Sequence, residues 1–269
     1  MSGAPQIIDR DAVRRNRTRA AAEFLDYDFL VQRVADDLVE RLDDVTRRFA
    51  RVLDLGSHTG ALGERLVARP GVQQLVSCDL SREMVRRASG LAVVGDEEAL
   101  PFADGAFDLV VSCLSLHWVN DLPGTLVQVR RSLAPDSLFI ASFLGGATLT
   151  ELRQCWLAAE AEVEGGASPR VLPFADVRDA GDLLARTGFK LPVAVSEKEV
   201  VSYESPLKLV QDLRGMGEAN AHTARRKTFT RRETLARALG LYIERFADES
   251  GRVPATFEIV TLTGWTPPA

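Results

Sequence analysis

The sequence predicts an α/β fold, a seven-stranded, mostly parallel sheet with helices on both faces. Three observations predict it. Five short apolar runs alternate with helical stretches between residues 51 and 143, the pattern of repeated βαβ units. Three of those runs end on or beside an acid, at Asp54, Asp79 and Asp96. The first run opens, through VLDLGSHTG at residues 52–60, into a glycine-bearing turn and then a stretch of helical composition. In an open α/β sheet such a turn lies at the carboxyl edge of the strands, beside a helix amino terminus, where ligands bind.

Each element follows from its residues. An Arg- and Ala-rich helix is expected over 11–23, then an amphipathic one over 27–49 whose stripe holds Phe29, Leu30, Val34, Leu38 and Leu42. Residues 1–50 thus form a helical lid able to fold over the ligand edge of the sheet. Strands are expected at 51–55, 73–78, 91–94, 107–113 and 138–143, with helices at 60–68, 81–89 and 122–133 between them. The run at 107–113 is nearly all apolar, as a strand buried on both faces requires. Ser81 ahead of Met84 and Val85 reads as a helix cap. Residues 51–147 make the ligand-binding core. Residues 148–269 complete the same domain, with helices at 149–164 and 177–187, strands at 193–201 and 256–264, and a helical insertion at 205–246 suited to substrate choice.

Composition narrows the class. With 269 residues, 46% of them hydrophobic, the chain can bury a full core. A net charge of -5 argues against general nucleic-acid binding, which needs a basic face. Arg14, Arg15, Arg17 and Arg19 make the amino-terminal helix cationic, and a solvated helix face is the expectation there. Cys78, Cys113 and Cys155 have no paired spacing and support neither a disulfide framework nor a zinc site. No apolar run reaches the roughly 18 residues of a membrane span, and no signal-peptide core opens the chain, so the expected compartment is the cytoplasm.

The strand-end acids indicate the ligand. Asp79, about twenty residues past the glycine turn, stands where a carboxylate takes both hydroxyls of a ribose. Asp96 suits an adenine amino group, with the backbone N–H of Glu97 facing the ring. A dinucleotide fingerprint needs glycine at three loop positions, here Gly56, His58 and Ala61, and fails at two of them. Asp54 would repel a pyrophosphate but attract an ammonium. A ligand combining ribose, adenine and ammonium is S-adenosylmethionine.

These motifs resemble those of the class I, Rossmann-like S-adenosylmethionine methyltransferases: VLDLGSHTG the first, SCDLS the second, GDEEALPF the third and FDLVVSCLSLHW the fourth. The resemblance implies a cofactor site lined by Asp54, Gly56, Ser57, His58, Gly60, Asp79, Leu80, Asp96, Glu97 and the Cys113 backbone. SLHWVNDLPG is similar to the malonyl carrier-protein methyltransferases of biotin synthesis. GGATLTELR, EGGASPRVLPF, DLRGMGEAN and VPATFEIVTLTGW more closely resemble the respiratory complex I assembly factors that hydroxylate an arginine of a complex I subunit. That resemblance implies a protein partner, an assembling NADH dehydrogenase subunit. Two alternatives stand beside it: a methyltransferase acting on a small molecule or acyl carrier protein, and a non-catalytic assembly chaperone.

His58 stands at the loop position that glycine usually fills, and its imidazole either points away or takes part of the methionine pocket. His117, at the end of strand four, is a candidate base for a methyl acceptor. Tyr27 is a second candidate, able to close the cofactor pocket. Both have packing alternatives, and no catalytic residue is assigned outright. None of His58, His117 and His222 is followed two residues on by an acid, so no non-haem iron triad is visible and no metal is expected. Glu97, Glu98, Asp121 and Glu218 are acids able to receive a substrate arginine.

Overall fold

The computed structural model describes residues 6–173 and 177–268. Residues 1–5 at the start of the expected lid, Phe174 at the end of EGGASPRVLPF, and Ala269 lie outside the described residues. The elements are α1 (Arg10–Ala20), a 3-10 turn (Phe24–Asp26), α2 (Phe29–Asp43), β1 (Arg51–Leu55), α3 (Ala61–Val67), β2 (Gln74–Asp79), α4 (Arg82–Val85), β3 (Leu91–Val94) and β4 (Phe107–Cys113). A second 3-10 turn (Leu116–Trp118) leads to α5 (Leu122–Ser132), β5 (Leu133–Leu144), α6 (Thr150–Glu164), α7 (Val177–Arg186), β6 (Lys190–Tyr203), α8 (Pro206–Gly215), α9 (Arg232–Phe246) and β7 (Val253–Trp265).

The seven strands order as β3-β2-β1-β4-β5-β7-β6. β1 pairs in parallel with β2 on one side and β4 on the other, so the strand order reverses beside it. A crevice opens at such a switch point, outside the carboxyl ends of the strands. β7 runs antiparallel between β5 and β6 and closes the far half. The central strands are buried on both faces because they are apolar in both directions. Val52, Leu109 and Ile140 pack against α2, α3, α6 and α9 on one side. Leu53, Val110 and Phe139 pack against α5 and α7 on the other. Among the described residues, no helix is long and apolar enough to cross a membrane.

Several elements depart from expectation. The helix expected over 81–89 shrinks to the four residues of α4, because the Ser77 hydroxyl donates to the Ser89 carbonyl at 2.7 Å and ties that segment to β2. β6 and β7 extend well past their expected ends, since each pairs with the other over nearly its full length. The amino-terminal helix is not simply a solvated cationic face. Its inner stripe of Ala12, Val13, Arg17 and Ala20 is buried, and Arg17 is drawn inward by acids at the strand ends.

Candidate functional site

The glycine turn builds the rim of the crevice. Gly56 (φ +70) and Gly60 (φ +96) hold left-handed conformations that admit glycine far more readily than other residues. Added side chains would also collide: a Cβ on Gly56 would lie 2.0 Å from Ser115 Oγ, and one on Gly60 2.7 Å from Ala88 Cα. The N–H groups of Gly56 and Ser57 donate to the Cys78 carbonyl at 2.7 and 3.0 Å, tying the turn to the end of β2. His58 adopts the same left-handed region at φ 49, which turns its ring inward. The imidazole stacks on Phe24 with centroids 5.5 Å apart, and its Nε2 lies 3.2 and 3.3 Å from the Cys113 and Leu114 carbonyls. Burial, and then the positive charge of Arg17, push its pKa down. The ring is therefore neutral near pH 7, with Nε2–H donating to the two carbonyls.

Four acids gather behind the turn. Asp54 is fully buried, and among the described residues neither of its oxygens meets a hydrogen-bond donor in good geometry. Burial first, and the neighbouring negative charge of Asp79 second, push its pKa up to about 7, with the Gly63 N–H offsetting part of the rise. Asp79 accepts the Ser81 N–H at 2.7 Å on one oxygen and the His58 N–H at 3.1 Å on the other. That second oxygen also accepts from Arg17 Nη1 at 3.1 Å. Arg17 Nη1 donates to Glu97 at 3.0 Å as well, and Nη2 to the Ser115 hydroxyl at 2.7 Å. The Ser115 hydroxyl in turn donates a hydrogen bond to Glu97 at 2.6 Å. Arg10 pairs with Asp96 at 2.6 Å and also with Glu97. Burial alone would raise Glu97, but Arg17, Arg10 and Ser115 outweigh it and hold the carboxyl well below the usual carboxylate range. Arg17 is 1% exposed, so its charge is balanced entirely within the protein.

The other predicted site residues fall into two groups. Leu80 and Cys113 are buried at the same edge, Leu80 against Ala12, Val13 and Trp118, and the Cys113 thiol within 3.6 Å of the Val31 carbonyl. Tyr27 sits elsewhere: its ring lies against Gly215 of α8, with the Lys208 ammonium 5.5 Å from its centroid. His117 is also buried, its Nε2 3.0 Å from Glu218. Trp118 Nε1 donates to the other Glu218 oxygen at 3.0 Å. Burial raises Glu218, but His117 and Trp118 more than compensate, leaving it lowered. Glu98 accepts the Asn120 N–H and Asp121 caps α5, so both have structural duties. Among the described residues no three of His, Cys, Asp and Glu gather as a metal-binding group.

Glu218 faces a cavity of about 420 Å³, walled by Trp118, Leu144, Leu149, Trp156 and Leu213, with Arg19, Arg170 and Arg214 among its polar lining. A narrow void touching His58 and Leu114 shares Leu144 and Glu218 with it.

Residues 53–141 match the methyltransferase domain family. Over 97% of its length the chain is 39% identical to the mitochondrial arginine-hydroxylase NDUFAF5 of Danio rerio, covering 83% of that protein. The chain belongs to the NDUFAF5 arginine-hydroxylase family. It is also 36% identical, over 98% of its length and 90% of the relative's, to the malonyl-[acyl-carrier protein] O-methyltransferase of Halorhodospira halophila. In fold it matches a Haemonchus contortus phosphoethanolamine N-methyltransferase 2 in complex with S-adenosyl-L-methionine. The TM-score is 0.54 and the identity 15%, over 92% of this chain and 57% of that one.

Sequence reasoning missed three members of this NDUFAF5-family site. Arg10 and Arg17 lie seven residues apart, two turns on one helix face, interleaved with the buried Val13 and Ala20. That spacing places them on the apolar stripe and was the available signal. Ser115, one residue past Leu114, whose own backbone is left-handed at φ 48, had no sequence signature.

Proposed function

We propose that this NDUFAF5-family chain binds S-adenosylmethionine at the carboxyl ends of β1, β2 and β3 and modifies, by hydroxylation, an arginine of an assembling NADH dehydrogenase subunit. The observation that carries the acceptor half is the cavity with Glu218 on its wall. At about 420 Å³ it has room for a side chain, and leucines and tryptophans wall it beside the Glu218 carboxylate. An arginine entering it would run its methylenes along leucine, bring its guanidinium near Trp118, and meet the Glu218 carboxylate.

The cofactor half rests on the orphaned Asp54 carboxylate and the Gly56–Gly60 turn, which fit an ammonium and a close backbone approach. Asp79 would hold the ribose diol, and Asp96 with the Glu97 N–H would hold the adenine. When bound, the cofactor would supply an electrophilic sulfonium methyl, the group that methyl transfer needs; hydroxylation would take its oxygen atom from dioxygen, whose other oxygen leaves as water with two electrons from an external reductant. The chain's own residues orient the ligands: Trp118 and His117 fix the Glu218 carboxylate, and His117 Nε2 is the atom placed to share a proton with it. Residues 1–50 act as the lid over this edge, and the cytoplasm is the proposed compartment.

A second reading, methyl transfer to a small molecule or acyl carrier protein, is supported by the kinship with the malonyl-[acyl-carrier protein] O-methyltransferase and by Arg19 and Arg214, which suit a carboxylate. The deciding experiment incubates the protein with the candidate subunit and S-adenosylmethionine and reads the arginine by intact and peptide mass. A gain of one oxygen supports hydroxylation, and a gain of one methylene supports methylation. A stable complex without change of mass supports a chaperone. No binding to the subunit overturns the lead reading.

A further inference from the structure

We propose that the Arg17 guanidinium, backed by Arg10, and the nucleoside of the cofactor are alternative occupants of the same acids, so that α1 must lift from the strand ends for the cofactor to enter. The inference rests on the cofactor reading above and adds to it the residue that sets its affinity.

Three observations lead there. First, the acids assigned to the nucleoside are already satisfied. Asp79 and Glu97 each accept from Arg17, and Asp96 and Glu97 from Arg10. A ribose diol needs Asp79 as a free acceptor, and with 1% of its side chain exposed Arg17 leaves no room beside it. Second, the open face of the glycine turn is filled by groups that Arg17 holds. Ser115 Oγ and Glu97 Oε1 lie 2.0 and 3.2 Å from the point where a Gly56 side chain would begin, and both are bonded to Arg17. Releasing the guanidinium frees them to swing away, which restores the approach that a glycine there provides. Third, the arginines join α1 to the strand ends at the cofactor's own contacts. Elsewhere the helix is held by the Thr18–Ser81 hydroxyl contact at 2.9 Å, the Asn16 amide on the Ala219 carbonyl at 2.8 Å, an apolar cluster with Leu80, Trp118, Leu172 and Ala221, Ala20 in the main core, and its cap Asp9 on Arg225 at 2.8 Å. Those contacts do not involve the strand-end acids, so lifting the inner face of α1 is what frees Asp79, Asp96 and Glu97.

Competition of this kind is reciprocal: whatever holds α1 down weakens the cofactor, and the cofactor loosens α1 by the same factor. A reversible tether tests it. In the double variant Thr18→Cys/Ser81→Cys the two thiols replace hydroxyls already in contact, within reach of a disulfide. The three native cysteines are buried and stay out of the reaction. Calorimetry with S-adenosylmethionine should give at least about tenfold weaker affinity for the oxidised variant than for the same protein after reduction. Equal affinity in the two forms overturns the inference. A second measurement uses the unsubstituted protein, in which added S-adenosylmethionine should speed hydrogen exchange across Arg10–Ala20; slower exchange there contradicts the competition. Failure of the unsubstituted protein to bind S-adenosylmethionine at all overturns the cofactor reading itself, a result separate from the other two.

Discussion

Replacing Arg17 with Met keeps the length and apolar stem of the side chain and removes only its charge. In the ligand-free protein this takes one guanidinium from three acceptors, Asp79, Glu97 and Ser115. Asp79 and Glu97 are essentially without solvent contact, and Arg10 is left as the one cation near them. Breaking a buried ion pair by removing one partner costs about 3–5 kcal/mol, a large part of the roughly 5–15 kcal/mol that holds a domain together. The pH dependence should weaken as well. In the native protein the Glu97 pKa lies below its unfolded value. Its contribution to stability is therefore present above the unfolded pKa and lost as pH falls toward the folded one. Without Arg17, the first of the partners that lower it, the folded pKa moves up, so the variant loses less stability than the native protein as pH falls from neutral. Urea unfolding at pH 7 and about pH 5.5 reads both effects. A loss under about 1 kcal/mol with the native pH slope would show that the guanidinium is not bound between these acids.

Four further outcomes are expected. Asp79→Ala should weaken S-adenosylmethionine by about 1.5–3 kcal/mol in calorimetry, the worth of hydrogen bonds to a charged acceptor; unchanged affinity would remove Asp79 from the pocket. His58→Gly should tighten the cofactor by clearing the imidazole from the Cys113 and Leu114 carbonyls, and equal or weaker binding would reject a steric role for the ring. Asp54, with its folded pKa raised to about 7, binds a proton more readily folded than unfolded. Stability then falls as pH rises from its ordinary value near 4 to about 7; the melting temperature of Asp54→Asn relative to the native protein should rise across that window, and a constant difference would place the titration elsewhere. Glu218→Gln should abolish the mass change on the candidate subunit while leaving S-adenosylmethionine affinity within about threefold; full modification by this variant would exclude Glu218 as the arginine receiver.

The sheet was legible because its central strands are buried on both faces and must be apolar throughout, so the runs ending at Leu55, Asp79 and Cys113 mark themselves. The strand-end acids could be read for the same reason, since a carboxylate closing an apolar run stands out against it. Helix α4 was overcalled because nothing in its residues announces the Ser77–Ser89 hydrogen bond that stops it. β6 was undercalled because most of its side chains are exposed, and its length comes from pairing with β7. At the site, the glycine turn and its acids could be placed from sequence, whereas their present partners could not. An arginine in a cationic helix looks solvated until the acids 62 and 80 residues away are known to face it. Glu218 drew notice only as one of several acids, and its distinction, a carboxylate bonded to His117 and Trp118 across about one hundred residues, exists only in three dimensions.

The arginines on α1 also bear on how the chain reaches its fold. Two buried carboxylates at the ends of β2 and β3 would oppose closure of the sheet if they had to wait for a ligand to neutralise them. Arg10 and Arg17 lie on α1, the first helix among the described residues, and act as internal counterions. The nascent protein carries its own neutralising charge and can complete the sheet before any small molecule arrives. A ligand site built this way need not be left half-formed during synthesis.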